Sequence, residues 1–476
     1  MKPVNQKQAK IGVSAQGSIL IYNVVIIFIF SLVMLGALSY ASYQLKLTAA
    51  TVVKQQAFQI AEAGMNYYEW RLAHFPADFW DGNASTTPGP YVHDYVDSDT
   101  HVKLGEYSLQ ITAPPVGSTV ATIQSTGYTV DNPNTRRTIT VRYGVPSVAK
   151  YAFLTNGDVW IGSTENVSGE LHANGGIRFD GTGNAPITSS KSTYLCQTYH
   201  GCGPTVKPGV WGSAPLSTQA FWQYPVPNVD FSTMTSDLAN IKATAQSGGI
   251  YLPPSNKRGY SLVFTSDGHV RIYKVNSVLS NPTGFDVNGN AHNEGTDYNS
   301  RSEQTTICSP SPCAIPSNGV IFVEDKAWVE GTVKGRVLVA AAKLPYNANT
   351  APSILIPNNI VYAAKDGTNS LGLISQQDVL LTYRSPNNLE IDAAMIAQNG
   401  SAQHFEWDGD IKNKITIYGA VASFGTWTWS WVDGWGNTIS GYQYTQTTYD
   451  SNLLYAPPPS FPLTSDGYVP ISWTSN

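Results

Sequence analysis

Hydrophobic residues are concentrated in one long stretch near the start of the chain. No charged residue occurs from Ile11 to Leu45, and the most apolar part, Ile19–Leu38, reaches the roughly 20 residues that a helix needs to cross a bilayer. Three lysines precede this stretch, and the first acidic residue follows it. The positive-inside bias therefore predicts a single-pass membrane helix with a cytoplasmic N-terminus and most of the chain outside. The lysines are Lys2, Lys7 and Lys10, and the acidic residue is Glu62.

The helical pattern continues beyond the apolar stretch. Between Lys46 and Leu72 apolar residues recur at intervals of three or four, which predicts an amphipathic helix that packs on another part of the protein and ends at Pro76. A cleavable secretory signal has an apolar core of only about 7–15 residues, so a plain membrane anchor is the stronger alternative. The recurring residues are Leu47, Ala50, Val53, Ala57, Ile60, Ala61, Met65 and Tyr68.

Three strand-like segments follow the predicted helix. They alternate apolar and polar residues and are separated by the turn sequences PPVGS and DNPN. This pattern predicts a small antiparallel β-domain over residues 76–146. The segments are Glu106–Thr112, Thr119–Val130 and Arg136–Val145.

Short strand-like segments recur after Pro146, broken by Asn-Gly, Gly-Gly and Asp-Gly turns. They predict a parallel β-solenoid-like domain over residues 147–476, in which each coil buries its apolar residues on the next; a β-sandwich is the alternative. An insertion at about residues 205–317, with a helix at Ser232–Gln246, is expected to project from this domain. The Pro-rich segment Tyr449–Pro462 is expected to lie across the last coil. The strand-like segments are Tyr151–Gly162, Ser168–Gly181, Asn318–Ala342, Leu371–Tyr383, Leu389–Gly400 and Lys414–Ser423.

The N-terminal region resembles the type IV prepilins, most closely the PilX-type minor pilins. The resemblance is carried by a basic leader that ends in Gly17, by the small residue Ser18, by the apolar stretch, and by AFQIAEAGMNYYEWRL at Ala57–Leu72. It implies that a prepilin peptidase removes a leader over residues 1–17 and that the new amine of Ser18 is methylated. It further implies a membrane and filament helix over residues 18–75 that contacts other pilin-like subunits.

One position departs from the usual pilin pattern. The fifth residue after the implied cleavage site is Tyr22, where typical major pilins have a glutamate that pairs with the N-terminal amine of the subunit above. An unpaired charge in an apolar filament core is costly, so a subunit without this glutamate suits a place with no subunit above it. Tyr22 therefore favours a tip or priming subunit over a major pilin.

Composition indicates an extracellular, β-rich protein of more than one folded part. The 476 residues exceed what one hydrophobic core usually serves, and only 13% are charged, beside 41 Gly, 27 Tyr and 12 Trp. The net charge is −5, and loss of the three leader lysines would leave 25 basic against 33 acidic residues, or −8. No basic block or stripe is present, so no nucleic-acid partner is expected.

The four cysteines form two close pairs in polar loops, CQTYHGC and CSPSPC. Two local disulfides in an oxidising compartment are the favoured interpretation. His200 lies inside the first loop, but no second ligand pair stands at zinc-like spacing, so no metal is expected. The pairs are Cys196 with Cys202 and Cys308 with Cys313.

Sequence motifs for catalysis are missing from the chain. There is no GxSxG, HExxH or CxxC, so neither catalytic residues nor a cofactor are predicted. Glu406, Asp408 and Asp410 are the densest acidic group, and a sugar-cleaving site would need them to converge. A solvated turn is the simpler interpretation. The loop DVNGNAHNE from Asp286 resembles a calcium loop but has Ala291 where a glycine is expected.

Tryptophans are the strongest candidates for recognition. Trp427, Trp429 and Trp431 alternate along one predicted strand and would share a face, with Trp435 close by. Flat rings in a row stack on sugars or hydrophobic partners, so this face predicts binding of a surface carbohydrate or a protein. The same rings would equally well cover the open end of a solenoid.

The sequence therefore predicts a mainly β protein with a long N-terminal helix. Its predicted function is that of a minor structural subunit, at the tip or in priming, of a type IV pilus or a type II secretion-like filament, with adhesion as an added role and no enzymatic activity. The predicted location is the bacterial cell envelope, first in the inner or cytoplasmic membrane and then in an extracellular filament. A membrane-anchored adhesin and a solenoid enzyme acting on polysaccharide are the alternatives.

Overall fold

A computed structural model describes residues 16–231, 237–308, 311–433, 435–464 and 467–476. The predicted leader lysines Lys2, Lys7 and Lys10 lie outside the described residues. The chain divides into two compact units, and each is discontinuous in sequence, whereas the sequence pattern predicts one boundary near residue 146. The smaller unit comprises Met1–Thr112, Ile123–Val141 and Ser472–Asn476, and the larger comprises Ala113–Thr122 and Arg142–Ile471.

One helix, α1 (Gln16–His74), runs through the smaller unit for 59 residues. Every side chain from Ile19 to Val52 is exposed. Among the described residues, α1 is the one helix long and apolar enough to cross a membrane, by length and composition. A single uninterrupted helix thus joins an exposed apolar segment to a segment that packs on protein.

The second half of α1 packs on an antiparallel pair of strands. The sheet has the order β1-β2-β3-β4 with the last strand of the chain at its edge, and β1 pairs antiparallel with β2. Leu47 and Ala50 are exposed because the packed face begins only further along the helix. The strands are β1 (Tyr91–Val96), β2 (Lys103–Thr112), β3 (Val120–Thr129) and β4 (Arg137–Gly144). The buried helix residues are Ala57, Ile60, Ala61, Met65, Tyr68 and Leu72.

Two glycines allow a close approach between α1 and β3. A Cβ atom on Gly64 would lie 2.4 Å from Ser125 Oγ, and one on Gly127 would lie 2.3 Å from the carbonyl oxygen of Ala57. Real Cβ atoms do not approach other atoms so closely, so only glycine fits at either position. The AEAG segment of the helix (61–64) and the STG segment of the strand (125–127) therefore pack directly against each other.

The larger unit is built from many short strands. It also contains the helices α2 (Leu216–Gln219) and α3 (Leu238–Gly248) and 3₁₀ turns at Val148–Lys150, Thr198–His200 and Ser451–Leu454. The strands are β5 (Phe153–Thr155), β6 (Val159–Ile161), β7 (Glu165–Ser168), β8 (Leu171–Ala173), β9 (Ile177–Phe179), β10 (Thr182–Gly183), β11 (Ile187–Ser189), β12 (Thr193–Cys196), β13 (Thr205–Pro208), β14 (Val210–Trp211), β15 (Trp222–Gln223), β16 (Ile250–Leu252), β17 (Tyr260–Thr265), β18 (His269–Val278), β19 (Gly284–Phe285), β20 (Ala291–His292), β21 (Tyr298–Glu303), β22 (Cys313–Ala314), β23 (Val320–Val323), β24 (Ala327–Val333), β25 (Arg336–Ala341), β26 (Ile354–Ile356), β27 (Ile360–Tyr362), β28 (Ser370–Ser375), β29 (Val379–Leu381), β30 (Asn388–Ala397), β31 (Ala402–His404), β32 (Glu406–Trp407), β33 (Ile411–Ser423), β34 (Ser430–Val432) and β35 (Thr438–Tyr449), and β36 (Val469–Ser475) closes the chain.

Parallel pairing dominates the larger unit. One row of strands runs β23-β25-β28-β30-β33 and a second runs β17-β24-β26-β29-β31, all with parallel neighbours. The expected fold class, a long apolar helix followed by antiparallel and parallel β structure, is confirmed.

The order of the stacked strands differs from their order in the chain. β33 pairs with β5, so that Val421 lies opposite Phe153, and the row then continues through β8, β11 and β15. The first strands of the larger unit therefore continue this row beyond β33, although they precede β33 in the chain. The sequence pattern did not indicate this long-range pairing.

The segment at residues 205–317 contributes to the core. β16 pairs in parallel with β23, and β17 pairs in parallel with β24, so these strands belong to the two rows and do not project from them. The predicted helix at Ser232–Gln246 is observed as α3, which begins after Asp237, whose side chain accepts a hydrogen bond from the amide of Asn240. Residues 232–236 lie outside the described residues.

The Pro-rich segment near the C-terminus packs along the parallel rows. Leu453 and Phe461 are buried, and Arg336 Nη2 of β25 donates to the carbonyl oxygen of Ala456 over 2.6 Å. A Cβ on Gly372 of β28 would meet the side chains of Phe461 and Pro458 at about 3 Å. The segment therefore covers β25 and β28 in the middle of a row, not the last coil.

Candidate functional site

The predicted cleavage site lies at the start of the described chain. Gly17 and Ser18 fall within α1, and Tyr22 is exposed with the other apolar residues of its segment. Cleavage after Gly17 and methylation of Ser18 stay predictions. From Ile19 to Leu45 the helix is uncharged and every side chain is exposed.

Both predicted disulfides are formed. Cys196 bonds to Cys202 and Cys308 bonds to Cys313, with Cα atoms 6.2 and 5.2 Å apart. The first disulfide closes a short loop that contains the 3₁₀ turn Thr198–His200. It therefore constrains the short backbone segment that exposes Tyr199 and buries His200.

The four tryptophans do not form one exposed face. Trp427 and Trp429 are 3% and 1% exposed and belong to the core of the larger unit. Trp431 is half-buried on the short strand β34, and Trp435 is 92% exposed. The strand covers only Ser430–Val432. Trp427 and Trp429 lie side by side, with ring centres 6.2 Å apart, but they face the core, so the expectation of a binding face is wrong for these two residues.

An aromatic cavity lies where Trp431 reaches the surface. Its volume is about 300 Å³, and it brings together five segments that are separate in sequence. We call it the aromatic cavity. Its lining residues are Trp160, Tyr199, His200, Val287, Glu406, Thr426, Trp427, Thr428, Ser430, Trp431, Val432 and Ile439.

The ion pair of Arg178 and Asp180 contacts two of the segments that line the aromatic cavity. Arg178 Nε and Trp160 Nε1 both donate to Asp180 Oδ2 over 2.8 Å, and the Arg178 guanidinium lies 4.1 Å from the centre of the Trp160 ring. Arg178 Nη1 also donates to the carbonyl oxygen of His200 over 2.8 Å. Trp160 and the disulfide loop with Tyr199 are therefore fixed to the same support.

Several polar groups of the aromatic cavity have no partner within the described part of the chain. The carboxylate of Glu406 makes no hydrogen bond or ion pair there, although the residue is only half-exposed. His200 Nδ1 and Trp427 Nε1 are buried without a hydrogen-bond partner. Burial lowers the pKa of His200 to about 4, so its ring is neutral at pH 7. Of these three groups, Glu406 is the one exposed to solvent, since His200 Nδ1 and Trp427 Nε1 are closed off inside the wall.

The acidic group at residues 406–410 does not converge. Glu406 lines the aromatic cavity, Asp408 is exposed, and Asp410 Oδ1 lies 3.1 Å from the ammonium group of the buried Lys412. Burial opposes the ionised form of Asp410, but the neighbouring His404 and Lys412 outweigh it and lower the pKa of the carboxyl group. Asp410 is thus committed to an internal ion pair.

The calcium-like loop is satisfied by its own atoms. Asp286 accepts hydrogen bonds from the amides of Asn288 and Asn290 and from the side chain of Asn290. Glu294 instead pairs with Lys326. No cluster of three or more His, Cys, Asp or Glu residues suited to a metal ion occurs within the described ranges.

Comparisons with known proteins give little information about this chain. No family model matches the chain, and no curated protein matches it. Among solved structures, the chain is similar to the competence-associated pilin ComZ from Thermus thermophilus, with 14% sequence identity, a TM-score of 0.30, and coverage of 89% of this chain and 97% of that one. A similarity at this level carries no argument about function, which therefore has to be inferred from the chain itself.

The sequence patterns singled out Trp431, Glu406 and His200, but not as parts of one site, and they missed Trp160 and Tyr199. Trp160, Tyr199 and Glu406 come from separate strands and loops, and only the three-dimensional pairing brings them together. The CQTYHGC loop was the one available signal, because its aromatic pair sits inside a small disulfide ring.

Proposed function

We propose that the chain is a pilin-like subunit that assembles through α1 into an extracellular filament. The observation that carries the proposal is the division of α1 into an exposed, uncharged half and a half that packs on β2 and β3. An exposed apolar helix of this length is stable only in a bilayer or against other apolar helices. The leader ending in Gly17 and the AEAG segment support the same function.

Within such a filament, a minor PilX-type subunit at the tip fits the chain best. Tyr22 leaves no carboxylate to pair with the amine of a subunit above. The larger unit, Ala113–Thr122 and Arg142–Ile471, is also a bulky load to repeat along a helical filament. The larger unit, which we interpret as β-solenoid-like, would then be presented at the end of the filament for adhesion.

The proposal includes no catalysis. A glycosidase needs two carboxyl groups across the scissile bond, at about 5–9 Å from each other. In the aromatic cavity Glu406 is the one carboxylate among the lining residues. A binding role uses the arrangement that is present, whereas hydrolysis would need a second acid.

The mature N-terminus tests the proposal. The full chain is co-expressed with a prepilin peptidase, and its N-terminal peptide is identified by mass spectrometry. We expect the chain to begin at Ser18 with a methylated amine, and Gly17→Val to keep the complete leader. A wild-type chain that begins at any other residue would overturn the pilin assignment and favour a permanently anchored adhesin.

A further inference from the structure

The aromatic cavity has the size and lining of a site for a small polar ligand. Its volume of about 300 Å³ lies at the lower end of the range for ligand sites, which suits a single ring. We propose that it binds one neutral pyranose unit of a glycan. The proposal names the ligand of the adhesive role, and to that extent it rests on the proposed function.

Aromatic rings supply the apolar part of the site. Trp431 and Trp160 are half-buried, and Tyr199 is 70% exposed at the rim. A pyranose ring has apolar C–H faces that stack on flat side chains, while its hydroxyl groups lie at the edge of the ring. Rings on several walls of the cavity therefore give a sugar more than one stacking surface.

An unpaired polar group supplies the directional part. Glu406 is half-exposed in the cavity, has no partner among the described residues and accepts hydrogen bonds only. A hydroxyl group donates a hydrogen bond, so a polyhydroxylated ligand matches this acceptor. The carboxylate of Glu406 disfavours an acidic sugar, which is why the ligand is assigned as neutral.

The walls are fixed before a ligand arrives. Asp180 holds Trp160 and Arg178, Arg178 holds the backbone of His200, and Trp431 Nε1 donates to the carbonyl oxygen of His404 over 2.8 Å. The Cys196–Cys202 disulfide closes the remaining wall. Such preorganisation lowers the entropy cost of binding and is expected of a site more than of a chance surface hollow.

Two other ligand classes fit less well. A quaternary ammonium group would be attracted by the rings and by Glu406, but it has no N–H or O–H group to donate to this carboxylate. An apolar peptide side chain would cover Glu406 without donating a hydrogen bond to it, which is unfavourable. Both classes serve as probes in the test.

The test uses the full chain in a polyoxyethylene detergent, because a maltoside head group is itself a sugar. Saturation-transfer NMR is recorded with methyl β-D-glucopyranoside, methyl β-D-galactopyranoside and methyl N-acetyl-β-D-glucosaminide. Methyl β-D-glucuronide and tetramethylammonium are the charged probes. We expect at least one neutral pyranoside to bind more tightly than either charged probe.

Variants then locate the site. Trp431→Ala is expected to weaken binding about tenfold or more, as loss of a central aromatic contact usually does, and Glu406→Gln to weaken it several-fold. Trp431→Phe keeps a stacking face and should retain part of the affinity, which separates loss of contact from loss of fold. Trp435→Ala is the matched control, since Trp435 is 92% exposed and is not among the cavity residues.

The outcomes are separable from those of the filament proposal, because binding requires neither cleavage nor assembly. Absence of binding by all three neutral pyranosides would overturn the sugar site. Binding that Trp431→Ala leaves unchanged, or preferential binding of tetramethylammonium, would also overturn it. A chain that binds sugar but keeps its leader would refute the filament proposal alone.

Discussion

Phe153 and Trp427 stack with their ring centres 4.0 Å apart and their planes 7° from parallel. Phe153 belongs to β5, the first strand of the larger unit, and Trp427 follows β33, one of its last long strands. Their contact accompanies the parallel pairing of β5 with β33. The stacked pair thus closes the core at the point where the start and the end of the larger unit meet.

Removal of the Trp427 ring should destabilise the larger unit. Trp427→Ala leaves a cavity against Phe153, and truncation of a buried aromatic residue typically costs about 3–5 kcal/mol. Trp435→Ala, at an exposed position, should cost no more than about 0.5 kcal/mol. Thermal unfolding followed by near-UV circular dichroism compares the two variants, and equal melting temperatures would refute the division into core and surface tryptophans.

A side chain at Gly127 should separate α1 from β3. The added methyl group of Gly127→Ala would lie 2.3 Å from both the Ala57 carbonyl oxygen and the Ala61 amide nitrogen, which are backbone atoms with little room to move. Overpacking of this kind costs about 1–3 kcal/mol. We expect faster hydrogen exchange in β2 and β3, whereas Gly36→Ala, with no atom within 4 Å of its Cβ, should leave exchange there unchanged.

The larger unit should lose stability as the pH rises because of Glu165. Its Oε2 atom is buried without a partner among the described residues, and burial raises the pKa of the carboxyl group to about 8. This pKa exceeds the value of about 4.3 for a glutamate in the unfolded chain, so protonation of Glu165 favours the folded state. The contribution of Glu165 to the free energy of unfolding is therefore complete below about pH 4.3 and is lost as the pH rises through 8. Glu165→Gln should therefore melt higher than the wild type at pH 9 and nearly equally at pH 4.

The control for this pH dependence is Glu170→Gln, at an exposed position in the same part of the chain. It should shift the melting temperature by the same small amount at every pH. If Glu165→Gln also shifts it uniformly, the buried carboxyl group is not the origin of the pH dependence.

Loss of the first disulfide should loosen one wall of the aromatic cavity. Replacement of Cys196 and Cys202 by serine removes the ring around Tyr199 and His200, at a cost of about 2 kcal/mol for so short a loop. Hydrogen exchange at residues 197–202 should increase and binding of a neutral pyranoside should weaken. The matched double variant of Cys308 and Cys313, which are not cavity residues, should leave sugar binding intact; equal weakening in both would contradict the assignment.

Local patterns were sufficient to predict the helix and many strands. The three or four residue spacing from Ala57 to Tyr68 marks the face that is buried, and alternation predicted β2, β3 and β4 to within a few residues. Leu47 has the same spacing but is exposed. The pattern shows which face of the helix is apolar, but it does not show where along the helix that face is covered by protein.

Long-range pairing could not be predicted. No local signal joins β33 to β5, and none places β36 in the same sheet as β1–β4. The aromatic cavity depends on the same long-range order, since Trp160, Tyr199 and Trp431 meet only after distant strands have paired. Strict alternation suggested one exposed face for Trp427, Trp429 and Trp431. Trp427 and Trp429 do lie side by side, with ring centres 6.2 Å apart, but they face the core, because alternation does not show which side of a segment is covered.

Assembly through α1 is the central claim, and the most direct measurement is made on filaments sheared from the surface of the native host. Quantitative mass spectrometry determines whether the chain is present and whether its N-terminal peptide begins at methylated Ser18. The account predicts both in the wild type, and loss of the chain from the filament fraction when the prepilin peptidase is inactive. A chain of full length that remains in the membrane fraction of both strains would contradict it.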